Sequence, residues 1–305
     1  MAELLEISDL IVNFDIETLA RLPVRKQDAT DKLRANGQHH AASIVQQMPD
    51  SDGVIDQDYA DELLVRVHCE MQRLSEEFQH GRRVLQLLQP MLRALAEQGA
   101  QAPYRIVDIG CGTGYVMRWL AMHVHEFEQD VELIGVDFNR GLIDEAKRLS
   151  EQEHLQCRFE VTNAFKMEQP ATLFLSAGVV HHFRGQGLAD FFAQHDQPET
   201  LGFAHFDFQP TIFARPGAWL FHFIRMREPL SKHDGVVSAR RAHHADALVE
   251  AARSSTTFRC GMFSRWIAGL PLPRVFQTVL GIRPRFEDAF REALGSRASR
   301  LEELA

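Results

Sequence analysis

The sequence predicts a doubly wound α/β fold, in which a mostly parallel sheet follows a helical segment. Apolar strand-like runs alternate with helical runs from about residue 101, which is typical of a parallel sheet with helices on both faces. A glycine cluster joins the first of these runs to its helix, and the first hundred residues have helical periodicity. We therefore expect two regions, a helical cap over 1–100 and a doubly wound domain over 101–305.

The helical cap is predicted from two amphipathic stretches. Asp56 is placed to cap a helix that runs to about Leu74, because apolar residues recur there at helical spacing. A second helix is predicted over Val84–Leu95, and Gly99 ends it. Pro90 lies inside this second stretch and is expected to kink or divide the helix.

The predicted sheet has four clear strands and a fifth that needs a choice. The four are, in order, Arg105–Ile109, Val131–Asp137, Cys157–Val161 and Thr172–Ser176. The fifth is either Leu201–Phe208 or Trp219–Ile224, and we prefer the first because its distance from the fourth strand suits a helical crossover. The segment at Pro216 then begins a helix. Late strands over Ser255–Phe263 and Arg274–Leu280 are expected to form an antiparallel edge.

The composition narrows the choice of partners and compartment. Of the 305 residues, 42 are acidic and 33 basic, a net charge of −9, and this argues against nucleic acid or an anionic membrane surface as partner. No run approaches the roughly 20 apolar residues of a membrane span, and no signal peptide is recognised at the start. The four cysteines are scattered without a CxxC pair, so we expect a reducing cytoplasm. The scattered histidines match no metal spacing, and we predict no metal site.

The glycine cluster after the first strand has the form of a ligand-binding loop. Glycines let the backbone turn sharply and approach a ligand, and the next helix presents free N–H groups. The spacing over Asp108–Gly114 is GxGxG, so the GxGxxG fingerprint of dinucleotide-binding proteins is not met. Asp137 ends the second strand, where a carboxylate either accepts bonds from ribose hydroxyls or caps a helix. With the loop beside it, we favour the ribose.

The stretch VDIGCGTGY, at 107–115, resembles the signature loop of the Rossmann-like S-adenosylmethionine-dependent methyltransferases. Leu175–Phe183 resembles the fourth-strand segment of their small-molecule subgroup, and Asp234–Ala242 a stretch found in relatives of quinone-biosynthesis methyltransferases. The resemblance covers about Ala102 onward. It implies S-adenosylmethionine as cofactor, methyl transfer to oxygen or carbon of a small molecule, and a cap that shapes the acceptor pocket. The chain has 21 phenylalanines, several of them around the expected substrate side, and these suggest an apolar or aromatic acceptor, with core packing as the plainer interpretation for most of them. A homodimer is left open.

The same resemblance implies which residues bind the cofactor. The loop contributes Asp108, Gly110, Cys111, Gly112 and Gly114. The ribose position contributes Asp137, Phe138 and Asn139, and the adenine position contributes Asn163, Ala164 and Phe165. The fourth strand contributes Ser176 and Ala177. Asn163 departs from the family, which commonly has an acid there.

Catalytic candidates lie at the ends of the fourth and fifth strands. His181 and His182 follow the fourth strand, where one of them is placed to act as general base or else to orient the loop. Asp207, near the carboxyl end of the fifth strand, is a further candidate, with a solvated strand end as the plainer interpretation. The functional alternatives are a protein that binds the cofactor without catalysis and a dinucleotide-dependent oxidoreductase. A nucleic-acid methyltransferase is disfavoured by the acidic charge balance.

Overall fold

The computed structural model describes residues 3–163, 165–166, 170–211, 214–263 and 275–302. The N-terminal part is helical and contains one small hairpin. Its elements are α1 (Lys26–Ala35), α2 (His39–Gln46), β1 (Asp50–Ser51), β2 (Val54–Ile55), α3 (Gln57–Glu77) and α4 (His80–Glu97). As predicted, Asp56 caps α3: its carboxylate accepts a hydrogen bond from the backbone N–H of Tyr59 at 2.9 Å.

Helix α4 runs through Pro90 without a break, so of the two expected effects, a kink or a division, the division was wrong. The apolar face of α4 is buried against the sheet, and Leu88, Met91 and Leu95 are almost fully enclosed. This burial outweighs the loss of one backbone hydrogen bond at a proline, which costs about 3 kcal/mol.

The parallel part of the sheet contains the five strands expected from the sequence, each within a residue or two of its predicted bounds. The elements are β3 (Tyr104–Ile109), α5 (Tyr115–Met122), β4 (Val131–Asp137), α6 (Arg140–Gln152), β5 (Arg158–Val161), β6 (Leu173–Ala177), α7 (Gln186–Ala193) and β7 (Gly202–Phe208). The preferred fifth strand is confirmed, because β7 pairs in parallel with β6 along its length.

The C-terminal part adds three antiparallel strands and four helices. These are α8 (Ala214–Arg225), α9 (Pro229–Arg241), α10 (Ala245–Ser255), β8 (Arg259–Phe263), β9 (Phe276–Ile282), α11 (Glu287–Leu294) and β10 (Leu301–Glu302). The rival fifth strand lies within α8, and the expected antiparallel edge is present as β8 and β9. The eight strands have the order β10-β8-β9-β7-β6-β3-β4-β5, and β9 runs antiparallel to both of its neighbours.

The sheet is packed on both faces, which confirms the doubly wound α/β class. Apolar residues of α4, α5, α6 and α11 cover one face, and those of α7 and α10 cover the other. A separate apolar cluster joins the N-terminal segment to α1–α3 and to Leu230 of α9. The backbone N–H groups of Ile7 and Ser8 each donate to the Asp234 carboxylate at 2.8 Å, so α9 anchors the N-terminal segment. No helix among the described residues is long and apolar enough to cross a bilayer.

Candidate active site

The site lies at the carboxyl edge of the sheet, where β3 sits between β4 and β6. The chain crosses from β3 to β4 in one direction and returns to β6 in the other, and such a reversal opens a crevice for a ligand in open α/β sheets. The glycine loop between β3 and α5 lines this crevice, and the ends of β4, β6 and β7 lie along the same edge.

The glycine loop depends on residues without a Cβ. Gly110 and Gly112 have positive φ angles of +66° and +54°, which other residues adopt only with strain. A Cβ at Gly110 would lie 2.8 Å from a methyl carbon of Val179, and one at Gly112 would lie 2.5 Å from the imidazole ring of His68. The loop is therefore closely packed between the segment after β6 and helix α3. Gly114 is the last residue before α5, as the loop pattern predicts.

Asp108, near the end of β3 and just before the loop, has a carboxylate oxygen without a hydrogen-bond donor in the described part of the chain. Its side chain is 2% exposed, and among the residues that the structure describes none donates a hydrogen bond to its Oδ1. Burial raises the pKa of this carboxyl well above its ordinary value, and the nearby charge of Asp137 raises it further. A buried oxygen of this kind needs a donor, and a bound ammonium or hydroxyl group would supply one.

Asp137 is the last residue of β4, and its side chain connects this strand to the glycine loop by a hydrogen bond. Its Oδ2 accepts from the N–H of Gly112 at 3.0 Å, and its Oδ1 accepts from the N–H of Asn139 at 2.9 Å. Burial raises the pKa of Asp137, although these bonds and the charge of His68 oppose the change. A carboxylate has about four lone-pair positions, so two remain for a ligand's hydroxyl groups.

The two residues after Asp137 have separate surroundings. Asn139 caps α6, because its Oδ1 accepts from the N–H of Leu142 at 3.3 Å. Its buried side chain is thus held within the protein. Phe138 is 48% exposed and packs edge-on against Phe14 of the N-terminal segment, with ring centroids 5.1 Å apart. Of Phe138 and Asn139, therefore, only Phe138 has exposed surface that a ligand could contact.

The predicted adenine position is also close to the N-terminal segment. The Asn163 amide donates to the carbonyl oxygen of Ile16 at 3.1 Å and accepts from the N–H of Phe165 at 2.9 Å. The Phe165 ring meets Phe183 edge-on at 5.3 Å. Ala164 lies outside the described residues.

Ser176 is turned away from the edge. Its fully buried hydroxyl hydrogen-bonds to Nδ1 of His205 at 2.9 Å, inside the apolar layer beneath α7. We predicted that Ser176 contacts the cofactor, and its side chain is instead committed to His205. Ala177, the next residue of β6, is partly exposed and remains a predicted contact. Cys111 is a packing residue: burial raises the pKa of its thiol well above the ordinary value, which keeps it protonated.

The candidate catalytic residues are brought together. Asp207, at the end of β7, accepts from the backbone N–H of His181 at 2.7 Å and bonds Nδ1 of the same residue at 2.9 Å. Although burial opposes its charge, the imidazole and the backbone N–H groups hold the pKa of Asp207 below its ordinary value. Asp207 is therefore not the solvated strand end that the sequence allowed.

His182 belongs to the same cluster. The imidazole rings of His181 and His182 lie 4.4 Å apart. Nδ1 of His182 lies 3.2 Å from Asp9. Burial opposes its charge, but the carboxylates of Asp9 and Glu6 raise the pKa of His182 to about 9. The cluster consequently combines a buried imidazole, a second imidazole at the rim and several carboxylates.

Several residues of the site were missed from the sequence. Glu6 and Asp9 come from the N-terminal segment, Arg241 from the end of α9, and His68 from α3. His68 shares the helical face of Leu64 and Val67, and that periodicity predicted core packing. Arg241 lies in the motif beginning at Asp234, which was recognised without a structural role. No spacing connects Glu6 with residues some 175 positions later in the chain.

Residues 106–196 match the family model described as a methyltransferase domain. A demethylmenaquinone methyltransferase of Deinococcus radiodurans is 31% identical over 102 residues, which cover 32% of this chain and 41% of the relative. A trans-aconitate 2-methyltransferase of Pseudomonas paraeruginosa is 33% identical over 94 residues, which cover 30% of this chain and 31% of the relative. The matched stretches therefore span less than half the length of either relative.

Among solved structures, the magnesium protoporphyrin IX methyltransferase of Synechocystis with bound S-adenosylhomocysteine is similar to this chain at a TM-score of 0.42. It is 14% identical, and the alignment covers 85% of this chain and 99% of that one.

Proposed function

We propose that this chain is a Rossmann-like S-adenosylmethionine-dependent methyltransferase and transfers the methyl group of S-adenosylmethionine to a small-molecule acceptor, in keeping with the methyltransferase-domain match over residues 106–196. One observation carries the proposal. The glycine loop lies between two buried carboxylates, Asp108 and Asp137, which retain free acceptor positions. An adenosyl amino acid has the matching donors, an ammonium group and two ribose hydroxyls.

The residues of the crevice fit this cofactor group by group. The unsatisfied oxygen of Asp108 suits the ammonium, and the two free lone-pair positions of Asp137 suit the ribose. The first turn of α5 lacks a side-chain cap in the described part of the chain, which leaves N–H groups for a carboxylate. Phe138 and Asn163 are proposed to border the adenine.

The protein's own contribution is to position the acceptor and exclude water. S-adenosylmethionine supplies an already activated methyl group when bound. An acceptor hydroxyl has to lose its proton, and we propose that His181, His182 and Asp207 promote this loss at the edge beside the loop. Asp207 is a positioning residue, because it fixes the orientation and tautomer of His181.

Region 1–100 is proposed to cap the crevice and shape the acceptor pocket. Three contacts support this role: His68 lies against Gly112, Phe14 packs on Phe138, and the Ile16 carbonyl accepts from Asn163. On this proposal, the three contacts help to exclude water from the edge. Water exclusion strengthens a nucleophile that would otherwise be hydrated.

The acceptor is proposed to be small and apolar or aromatic. The net charge of −9 argues against a nucleic acid. The two curated relatives are named for acceptors of different chemistry, a demethylmenaquinone and trans-aconitate. The stretch that they share with this chain therefore indicates the methyl donor rather than the acceptor. All four cysteines are free, which supports the proposal that the chain acts in a reducing cytoplasm.

Two measurements test the proposal. Calorimetry should detect S-adenosylhomocysteine and not NAD, and binding of NAD alone would refute the assignment of the loop. A methyl-labelled donor incubated with phenols, carboxylic acids and amines should then give a labelled product. If binding is tight and no acceptor is labelled, the chain is better described as a cofactor-binding protein without catalysis.

A further inference from the structure

The cluster at the end of β6 and β7 contains three side chains with the geometry of metal ligands. The Nε2 atom of His181 lies 3.7 Å from Oε1 of Glu6, and the Nε2 atom of His182 lies 3.8 Å from Oε2 of the same carboxylate. One ligand atom from each of the three residues lies within 4.8 Å of the others. Two imidazoles and one carboxylate thus converge on a common point.

The opposite nitrogens of both imidazoles are held by carboxylates. Nδ1 of His181 bonds Asp207 at 2.9 Å, and Nδ1 of His182 lies 3.2 Å from Asp9. In the neutral imidazoles this arrangement places the proton on Nδ1 and directs Nε2 at Glu6. The raised pKa of His182 means that an ion has to displace a proton from its Nε2, as metal binding to histidine generally does. Histidine ligands of metals are held in the same way, by a carboxylate on the nitrogen that does not bind the ion.

One of these nitrogens is buried without a partner. The His181 side chain is 3% exposed, and no group in the described ranges hydrogen-bonds to its Nε2. Glu6 is equally enclosed, with 4% of its side chain exposed. A buried polar atom without a partner destabilises the folded chain, and a bound cation would supply the missing partner.

The charges around the cluster favour a divalent cation. The carboxylates of Glu6 and Asp9 face the guanidinium of Arg241, which lies 3.3 Å from Glu6 and 2.9 Å from Asp9, and the carboxylate of Asp207 bonds His181. With the imidazoles neutral, as metal ligands are, the carboxylates of the cluster outnumber this guanidinium. The hydroxyl of Ser238 donates to Oε1 of Glu6 at 3.1 Å and helps to fix that carboxylate.

We propose that Glu6, His181 and His182 bind one divalent transition-metal ion, with Asp207 and Asp9 as the carboxylates that hold the two imidazoles. Two nitrogen ligands and one oxygen ligand suit Zn²⁺, Mn²⁺ or Fe²⁺ better than Mg²⁺ or Ca²⁺. Ligand bonds of about 2.1 Å put tetrahedral ligand atoms about 3.4 Å apart. The observed distances of 3.7 and 3.8 Å run to different oxygens of Glu6, and one ligand atom from each of the three residues lies within 4.8 Å of the others, so each pair has to close by at most about 1.4 Å around the ion.

The role of the ion rests on the proposed methyl transfer, although its binding does not. His182 is 32% exposed, so a further coordination position faces the side from which an acceptor arrives. An ion there lowers the pKa of an acceptor hydroxyl. The O–H bond breaks and its proton passes to water. The oxygen then forms a bond to the methyl carbon, while the carbon–sulfur bond breaks and its electron pair stays on sulfur.

The test measures ion binding in the absence of any methyl donor. The full chain is stripped with a chelator and titrated with Zn²⁺, Mn²⁺ or Mg²⁺ in a calorimeter, and Co²⁺ is followed by its visible absorption. We expect one transition-metal ion per chain and much weaker binding of Mg²⁺. No binding of any of the transition metals by the folded chain would overturn the proposal.

Variants locate the ion. His182→Gln, at the rim, and Glu6→Gln should each abolish the Co²⁺ absorption, and Asp207→Asn should weaken binding about 10- to 100-fold. His40→Gln is the matched control, because His39 and His40 are also adjacent but exposed on α2. Binding that survives both His182→Gln and Glu6→Gln would place the ion elsewhere and refute the assignment. S-adenosylhomocysteine binding to the stripped chain tests the methyltransferase proposal separately.

Discussion

Replacing Asp137 with alanine should weaken cofactor binding while leaving the fold in place. The carboxylate already accepts from the N–H groups of Gly112 and Asn139, and its two remaining lone-pair positions are the ones assigned to the ribose. A hydrogen bond to a charged group contributes about 1.5–3 kcal/mol, so the loss of two amounts to at least about 3 kcal/mol. That corresponds to a dissociation constant for S-adenosylhomocysteine raised about 100-fold or more.

The assay is calorimetric titration of S-adenosylhomocysteine into the variant, with thermal unfolding measured in parallel. Some loss of stability is expected, because two N–H groups lose their acceptor at about 1–3 kcal/mol each. Asp144→Ala, on the exposed side of α6, is the control for removal of a carboxylate and should bind normally. An unchanged dissociation constant in a folded Asp137→Ala protein would refute the ribose assignment.

Three further predictions concern the loop, the buried histidines and the N-terminal anchor. Gly112→Ala should abolish S-adenosylhomocysteine binding by calorimetry, since its Cβ has no room, whereas Gly187→Ala, with no atom within 4 Å, should bind normally; equal affinities would contradict this. Burial lowers the pKa of His195 to about 3. Below pH 6.5 the unfolded chain therefore binds more protons than the folded chain, and the free energy of unfolding decreases as the pH is lowered. Urea unfolding should show a loss of about 1.6 kcal/mol from this residue between pH 6.5 and 5, and His195→Phe should reduce the slope; parallel slopes would show that it does not titrate this way. Asp234→Ala should lower the stability by about 2 kcal/mol or more and expose the segment before α1 to proteolysis, and an unchanged cleavage pattern would rule out the anchor.

The strands of the parallel sheet and several helices could be predicted because their signals are local. Each parallel strand is a short apolar run bounded by polar or turn residues, and these boundaries lie within a few positions of those observed. Pro90 shows where local reasoning failed: the rule for proline is sound, but burial of Leu88 and Met91 on the same helix outweighs it. The hydrogen bond of the Ser176 hydroxyl to His205 could not be predicted, because a position in the chain does not say which partner a buried hydroxyl will find.

The residues of the site likewise form two groups: the members of one lie close together in the sequence, and the members of the other lie far apart in it. The donor half is compact in sequence, because Asp108, the glycine loop and Asp137 lie within 30 residues, and the match to the methyltransferase domain covers all of it. The acceptor half combines Glu6 with His181 and Asp207, and two of these three lie outside residues 106–196. The two curated relatives, whose alignments cover 32% and 30% of this chain, are named for chemically different acceptors. On the proposed function, we therefore expect the selectivity for the acceptor to reside in the N-terminal segment and in the strands after β6, which lie outside the family match.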